Sequence, residues 1–216
     1  MIYYSEYDLV FITILKNGTN AFEKLFTYVM GKEPEPLFFT RQPTIHMTVV
    51  RNPYERLLTQ FYHANRQQLW KEFKYTVHHP FFRKWVKETY SNGYNGEDGH
   101  LYTQSQFLQF AEIQMEYKVF KTEEFSAHEL FFFLNLTEER KAEIDNEYSK
   151  IIIELETSAH HATNSIKQGV WQSFYDAETI KICNNHYADD FKAFNYEIIK
   201  PEEFKPIYFE YKTTLI

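Results

Sequence analysis

The sequence predicts an α/β fold, a central and mostly parallel sheet with helices on both faces. Three observations carry that prediction. Two strand-turn-helix units follow one another in the first 62 residues, a third strand-helix pair comes midway, and a long helix with one apolar stripe closes the chain.

Residues 9–14 (LVFITI) form a short, nearly all-apolar run rich in β-branched types, the pattern of a strand buried on both faces. The whole segment MIYYSEYDLVFITIL reads as this first strand. KNGTN breaks it, and from Phe22 the apolar spacing becomes helical through Leu25, Phe26 and Val29, with Gly31 placed as a C-terminal cap. Asn20 with Glu23 three residues on resembles a capping box. After the proline-bearing loop EPEPLFFTRQP, Ile45–Val50 gives a second strand. Asn52 suits an N-cap, Pro53 the first helical position where its missing N–H costs nothing, and Glu55 the first turn. The helix behind them carries Tyr54, Leu57, Leu58, Phe61 and Tyr62 on one face.

Residues 70–90 are aromatic and charged without a clean period, and SNGYNGEDGH reads as a loop. YKVFK (117–121) is expected as a third strand, followed by a helix capped at Ser126, with Glu129 in its first turn. Residues 137–156 read as an exposed helix of mixed charge, TSAHHATNSIKQG as a second polar loop, and 176–194 as the closing helix. Its stripe is Ile180, Cys183, Tyr187, Phe191 and Phe194. No repeat or boundary divides the chain, and 216 residues suit a single domain over 1–216.

Composition excludes several classes. A formal charge of −7 disfavours a general nucleic-acid or acidic-membrane surface, so any anion site must be a local pocket. No apolar run approaches the roughly 20 residues that span a bilayer, mean hydropathy is −0.53, and the N-terminus lacks the pattern of a signal peptide. Cys183 is the single cysteine, which rules out an intrachain disulfide and a cysteine-based metal site. A reducing, cytoplasmic setting is the expectation.

The turn LKNGTN, between a buried strand and a helix start, aims unpaired backbone N–H groups and the positive end of the helix at one point. Lys16 adds a full charge and Thr19 a hydroxyl. It is an anion cradle, but not the G-x-x-x-x-G-K-[ST] phosphate loop, since it holds one glycine and the lysine precedes it. Arg51 ends the second strand, where open α/β sheets bind ligands, and a guanidinium grips phosphate through two parallel hydrogen bonds. Thr59 lies two turns along the following helix. Alone, Arg51 reads more readily as a structural partner of Glu55 or another acid; two anion-ready turns on two strands tip the balance toward a ligand with two phosphate-like groups.

These residues resemble the carbohydrate-type (family 2-like) sulfotransferases that use 3′-phosphoadenosine 5′-phosphosulfate (PAPS). In that family a turn P-K-x-G-[ST]-[ST] holds the 5′-phosphosulfate, and R-[DN]-P-[FY]-x-R-[LI]-x-S-x-[YF] holds the 3′-phosphate. The first is matched by Lys16, Gly18 and Thr19, and the second by Arg51-Asn52-Pro53-Tyr54-Glu55-Arg56-Leu57, then Thr59 and Phe61. His100 and Gln104 resemble a His-x-x-x-Gln pair of the family, YKVFKTEEF its strand and following acid, Asn164-Ser165 a late Asn-x-Ser-type loop, and YADDFKAFNY its C-terminal ending. Leu15 stands where the family has proline, and Asn20 where it has a second hydroxyl residue.

The resemblance implies a P-loop-like three-layer fold and transfer of a sulfuryl group from PAPS to a hydroxyl acceptor, a carbohydrate by preference, with no metal. It implies that Lys16, Asn17, Gly18, Thr19 and Asn20 hold the 5′ end of the donor, and that Arg51, Thr59, Asn164 and Ser165 complete its binding. Lys16 would stabilise the departing phosphate, and a histidine would take the acceptor proton, His100 first and His46 on the second strand after it. The expected partners are a small-molecule donor and a glycan or other hydroxyl acceptor. His78-His79 and His160-His161 read as solvated loop residues, because adjacent residues rarely point at one ion. Trp70, Trp85 and Tyr90 are candidates for an acceptor groove, although such aromatics are more often core. Two rivals stay open: a nucleotide-dependent phosphotransferase, which lacks a Walker-type loop here, and a non-catalytic nucleotide-binding homologue, which Leu15 and Asn20 support.

Overall fold

The computed structural model describes residues 1–31, 45–65, 79–91, 99–110, 116–125, 127–143 and 171–206. The chain divides into two compact units, Met1–Asn52 with Tyr102–His161, and Pro53–Leu101 with Ala162–Ile216. Among the described residues no helix is long and apolar enough to cross a membrane.

The first unit holds a four-stranded sheet in the order β1 (Ile2–Tyr4), β2 (Leu9–Ile12), β3 (Ile45–Val50), β4 (Lys118–Lys121). β2, β3 and β4 run parallel, with Val10 beside His46 and Val49 beside Phe120, while β1 is antiparallel to β2. The fold is the expected mixed, mostly parallel α/β sheet with helices. The N-terminal segment, however, is two strands rather than one. A 3-10 turn at Ser5–Tyr7 and Asp8 in the left-handed region (φ 49) reverse the chain between them. Asp8 tolerates that conformation because its short polar side chain interacts locally, and Tyr3 donates its hydroxyl to it at 3.2 Å.

One sheet face carries Leu9, Phe11, Met47, Val49 and Phe120, and packs against Leu25, Phe26 and Val29 of α1 (Thr19–Met30) and Leu130 and Phe131 of α5 (Ala127–Phe133). Phe11 and Phe26 meet edge to face at 4.6 Å, and burying a side chain of this size contributes about 2–3 kcal/mol. On the opposite face Val10, Ile12, Thr48 and Val50 are buried as well, the two-sided burial that the apolar runs foretold. α1 begins at Thr19, one residue before the expected cap. The Gly18 carbonyl already accepts the Phe22 N–H at 3.1 Å, so Asn20 stands inside the helix rather than at its cap. Gly31 does end α1, at φ +69. A side chain there would also meet the Arg140 guanidinium at 3.0 Å, which instead donates to the Val29 carbonyl. α5 closes on Asn135 (φ 50), with Asn135 N–H to Phe132 O and Leu136 N–H to Phe131 O, a Schellman ending. Ser126, its expected cap, lies outside the described residues, and Glu129 pairs with Lys118 at 2.8 Å. α4 (Gln104–Phe110) completes the unit, and of the helix expected over 137–156, residues 138–143 are helical, Thr137 precedes them without helical structure, and 144–156 lie outside the described residues.

The second unit is helical. α2 (Pro53–Ala64), α3 (His79–Tyr90), α6 (Ala177–His186) and α7 (Ala188–Ala193) enclose a core of Tyr54, Leu57, Leu58, Phe61, Phe82, Val86, Tyr175, Ile180, Cys183 and Phe191. α2 starts at Pro53, as its cap predicts. α3 corrects the sequence reading of residues 70–90. Phe82, Val86 and Tyr90 recur every four residues and are buried, a helical period that the interleaved Trp85, Lys84 and Lys87 obscure. His79 is correspondingly no solvated loop residue: its ring packs on Phe174 at 4.3 Å and its Nε2 lies 3.2 Å from Ser173 Oγ. The closing segment keeps its predicted stripe, every member buried, but breaks into two helices at Tyr187 (φ −101, ψ 21). Asp176 caps α6 in a capping box with Thr179.

Candidate functional site

The carboxyl ends of the parallel strands β2 and β3 bring together the two turns that the sequence singles out. Past β2 the chain buries Ile14, then turns through Lys16 at φ 73 and Gly18 at φ 75 into the first turn of α1. The N–H groups of that first turn have no partner within the helix, so the turn carries the positive end of the helix dipole. Lys16 is half-buried in it. Thr19 and Asn20 begin α1, and their side chains lie outside those described.

Arg51, directly after β3, reaches the same turn. A methyl group built on Gly18 would stand 3.7 Å from Arg51 Nη2 and 3.6 Å from the Phe22 ring. Guanidinium and glycine turn are therefore neighbours, although 33 positions separate them in sequence. Gly18 is required for its backbone conformation rather than for space, because both contacts are ordinary van der Waals distances.

Two buried amides hold this arrangement. Asn17, 2% exposed, donates to Val49 O at 2.8 Å and to Gln104 Oε1 at 2.7 Å, which commits both of its amide protons to the scaffold. Its side chain thus fastens the turn to β3. Gln104, fully buried at the start of α4, accepts the Arg51 N–H on Oε1 at 2.8 Å and donates Nε2 to the Arg51 carbonyl at 2.9 Å. Glu123, just past β4, accepts the Asn52 N–H at 2.6 Å and the Thr122 hydroxyl at 2.9 Å. The roles of Gln104 and Glu123 were not legible as chemistry in the sequence. Their only signal was position in the His-x-x-x-Gln pair and in the acid that follows the third strand.

His46 is not brought to this edge. It lies five residues before Arg51 along β3, about 16 Å away at strand rise. Burial holds its pKa below the ordinary histidine value, against a smaller opposing pull from Asp8. Thr59, half-buried on α2, donates its hydroxyl to the Glu55 carbonyl at 3.0 Å within its own helix. His100 sits in a 3-10 turn, Gly99–Leu101, that the second unit grips from two sides: Gln60 Nε2 donates to His100 O at 2.8 Å, and His186 Nε2 lies 3.4 Å from Leu101 O. The His100 ring packs on His63 at 4.5 Å. Asn164, Ser165, Trp70, His78, His160 and His161 lie outside the described residues. Trp85 packs against the core, and Tyr90 is buried with its hydroxyl on Gln60 at 3.2 Å, so both serve the helical core. Among the described residues no group of three or more His, Cys, Asp or Glu is arranged to hold a metal ion.

A family model described as the Sulfotransferase family matches residues 2–197. No curated protein matches the chain. No solved structure matches it either.

Proposed function

The chain belongs to the sulfotransferase family, and from that premise we propose that it moves a sulfuryl group from PAPS to a hydroxyl acceptor, a carbohydrate by preference. The observation that supports this most is the approach of Arg51 Nη2 to Gly18, because PAPS carries anionic groups at both its 5′ and 3′ ends and a donor site needs two cation-bearing turns. The cradle of Lys16, Gly18 and the first N–H groups of α1 suits the 5′-phosphosulfate. Arg51, held by its peptide, suits the 3′-phosphate.

In the reaction the acceptor oxygen attacks sulfur in line, the S–O bond to the 5′-phosphate breaks, and 3′-phosphoadenosine 5′-phosphate departs with the electron pair. Charge grows on that departing oxygen, so Lys16 and the turn N–H groups act where the transition state is more anionic than the ground state. The acceptor proton passes to a base, for which His100 is the candidate by its place in the His-x-x-x-Gln pair.

Calorimetric titration with 3′-phosphoadenosine 5′-phosphate and with ATP tests the donor. Tighter binding of ATP overturns the reading. Transfer of labelled sulfate from PAPS to a panel of glycans, phenols and lipids tests the activity, and a glycan is the expected product. Arg51→Ala is expected to weaken 3′-phosphoadenosine 5′-phosphate by roughly 10-fold or more while leaving adenosine 5′-phosphate nearly unchanged, since a charge-assisted bidentate contact is lost.

A further inference from the structure

We infer that Gln104 is a positioning residue of the donor site, whose buried amide locks the lysine turn and Arg51 into one rigid anion cradle. The inference rests on the donor reading above and adds to it a residue that touches neither phosphate. Three hydrogen bonds of 2.7–2.9 Å meet on this one side chain, two accepted by Oε1 from Asn17 Nδ2 and Arg51 N–H, and one donated by Nε2 to the Arg51 carbonyl. The pair formed with the Arg51 peptide is a closed, two-bond ring like one rung of a strand ladder, and it prolongs β3 by a residue where the sheet has ended. Asn17 joins the same oxygen, and its second proton goes to Val49 O, so the glycine turn and the arginine are referenced to one atom.

The physical need is specific. Arg51 follows the last β3 residue, and past the ladder its peptide takes its direction from the two Gln104 bonds. Weakening that hold shifts the guanidinium from its place beside Gly18. Full burial of Gln104 makes the clamp stiff, because an unmade hydrogen bond there costs more than it would in water. A glutamine meets the geometry where a carboxylate cannot, since the clamp needs one acceptor and one donor side by side.

A double-mutant cycle on the full chain tests this, with 3′-phosphoadenosine 5′-phosphate as the titrant. Gln104→Met keeps the volume and removes all three bonds. In the wild-type background it is expected to weaken binding by roughly 10-fold or more, and in the Arg51→Ala background by under about 3-fold, because most of the loss acts through Arg51. Equal losses in both backgrounds, or no loss in the first, overturn the inference and leave the donor reading standing. Absence of binding by the wild-type chain overturns the donor reading and this inference with it. If Gln104→Met melts below the assay temperature, Gln104→Glu carries the same cycle. It keeps the oxygen that Asn17 and Arg51 N–H share but turns an oxygen on the Arg51 carbonyl. A smaller loss than full removal is expected, again confined to the background with Arg51 intact, and a loss equal in both backgrounds counts against the clamp.

Discussion

Gly18 and Arg51 are neighbours: a methyl group on the glycine would lie 3.7 Å from the arginine Nη2, and the glycine sits at φ +75. The same residue therefore sets the turn and borders the guanidinium. Gly18→Ala meets no clash, so its cost is that of a left-handed alanine, about 1–2 kcal/mol. For a chain of this size that is a fall in Tm of roughly 2–8 °C. Gly18→Asn is expected to lose less, because asparagine tolerates the left-handed region. Thermal melts of the two variants check the order, and an alanine variant as stable as wild type would contradict a left-handed turn.

Lys16 occupies the same region at φ 73 with a full side chain, a conformation that costs about 1–2 kcal/mol. Lys16→Gly relieves that strain and removes the charge. The expected outcome is a Tm unchanged or raised by a few degrees together with loss of sulfuryl transfer. A variant that is destabilised, or that still turns over, refutes this account of the residue.

His186 in α6 makes stability depend on pH. Burial lowers its pKa to about 4, reinforced by Arg56, while its bond to Leu101 O and the nearby Asp190 oppose the shift. The folded pKa lies below the unfolded value of about 6.5, so the unfolded chain binds the extra proton. Its contribution is complete above pH 6.5 and is lost as pH falls from there toward 4. Between pH 7.5 and pH 5 the chain is expected to lose about 2 kcal/mol through this group. Urea unfolding at the two pH values, compared with His186→Gln, measures it. A pH dependence identical in the variant would remove His186 from the account.

Asp176 anchors the start of α6, accepting the Thr179 N–H at 2.8 Å while its own N–H donates to Thr179 Oγ1 at 2.9 Å. Its carboxylate also lies 3.9 Å from Arg83, and these partners outweigh burial to hold its pKa below the ordinary value. Asp176→Ala is expected to cost about 1–2 kcal/mol in urea unfolding, and Asp176→Asn less, because asparagine caps as well. Equal losses would mean that charge rather than capping is what the residue supplies.

The strand Ile45–Val50 and the helix from Pro53 were legible in the sequence because their signals are local: a β-branched run, an N-cap, a proline and a helical stripe within 18 residues. The turn that leads into α1 was legible for the same reason, since a charged turn between strand and helix declares itself in six residues. What the chain alone did not disclose was β1, whose antiparallel pairing depends on a left-handed Asp8, and α3, whose period Trp85 and its charged neighbours mask. Nor did it disclose the work of Gln104, whose partners Asn17 and Arg51 lie 87 and 53 positions away. The sequence by itself determined the locally signalled elements, such as β3 and α2, and the family motifs. Only the tertiary structure decided that the lysine turn and Arg51 share one edge of the sheet, because parallel pairing of β2 with β3 and a buried amide between them are non-local contacts that no window of sequence contains.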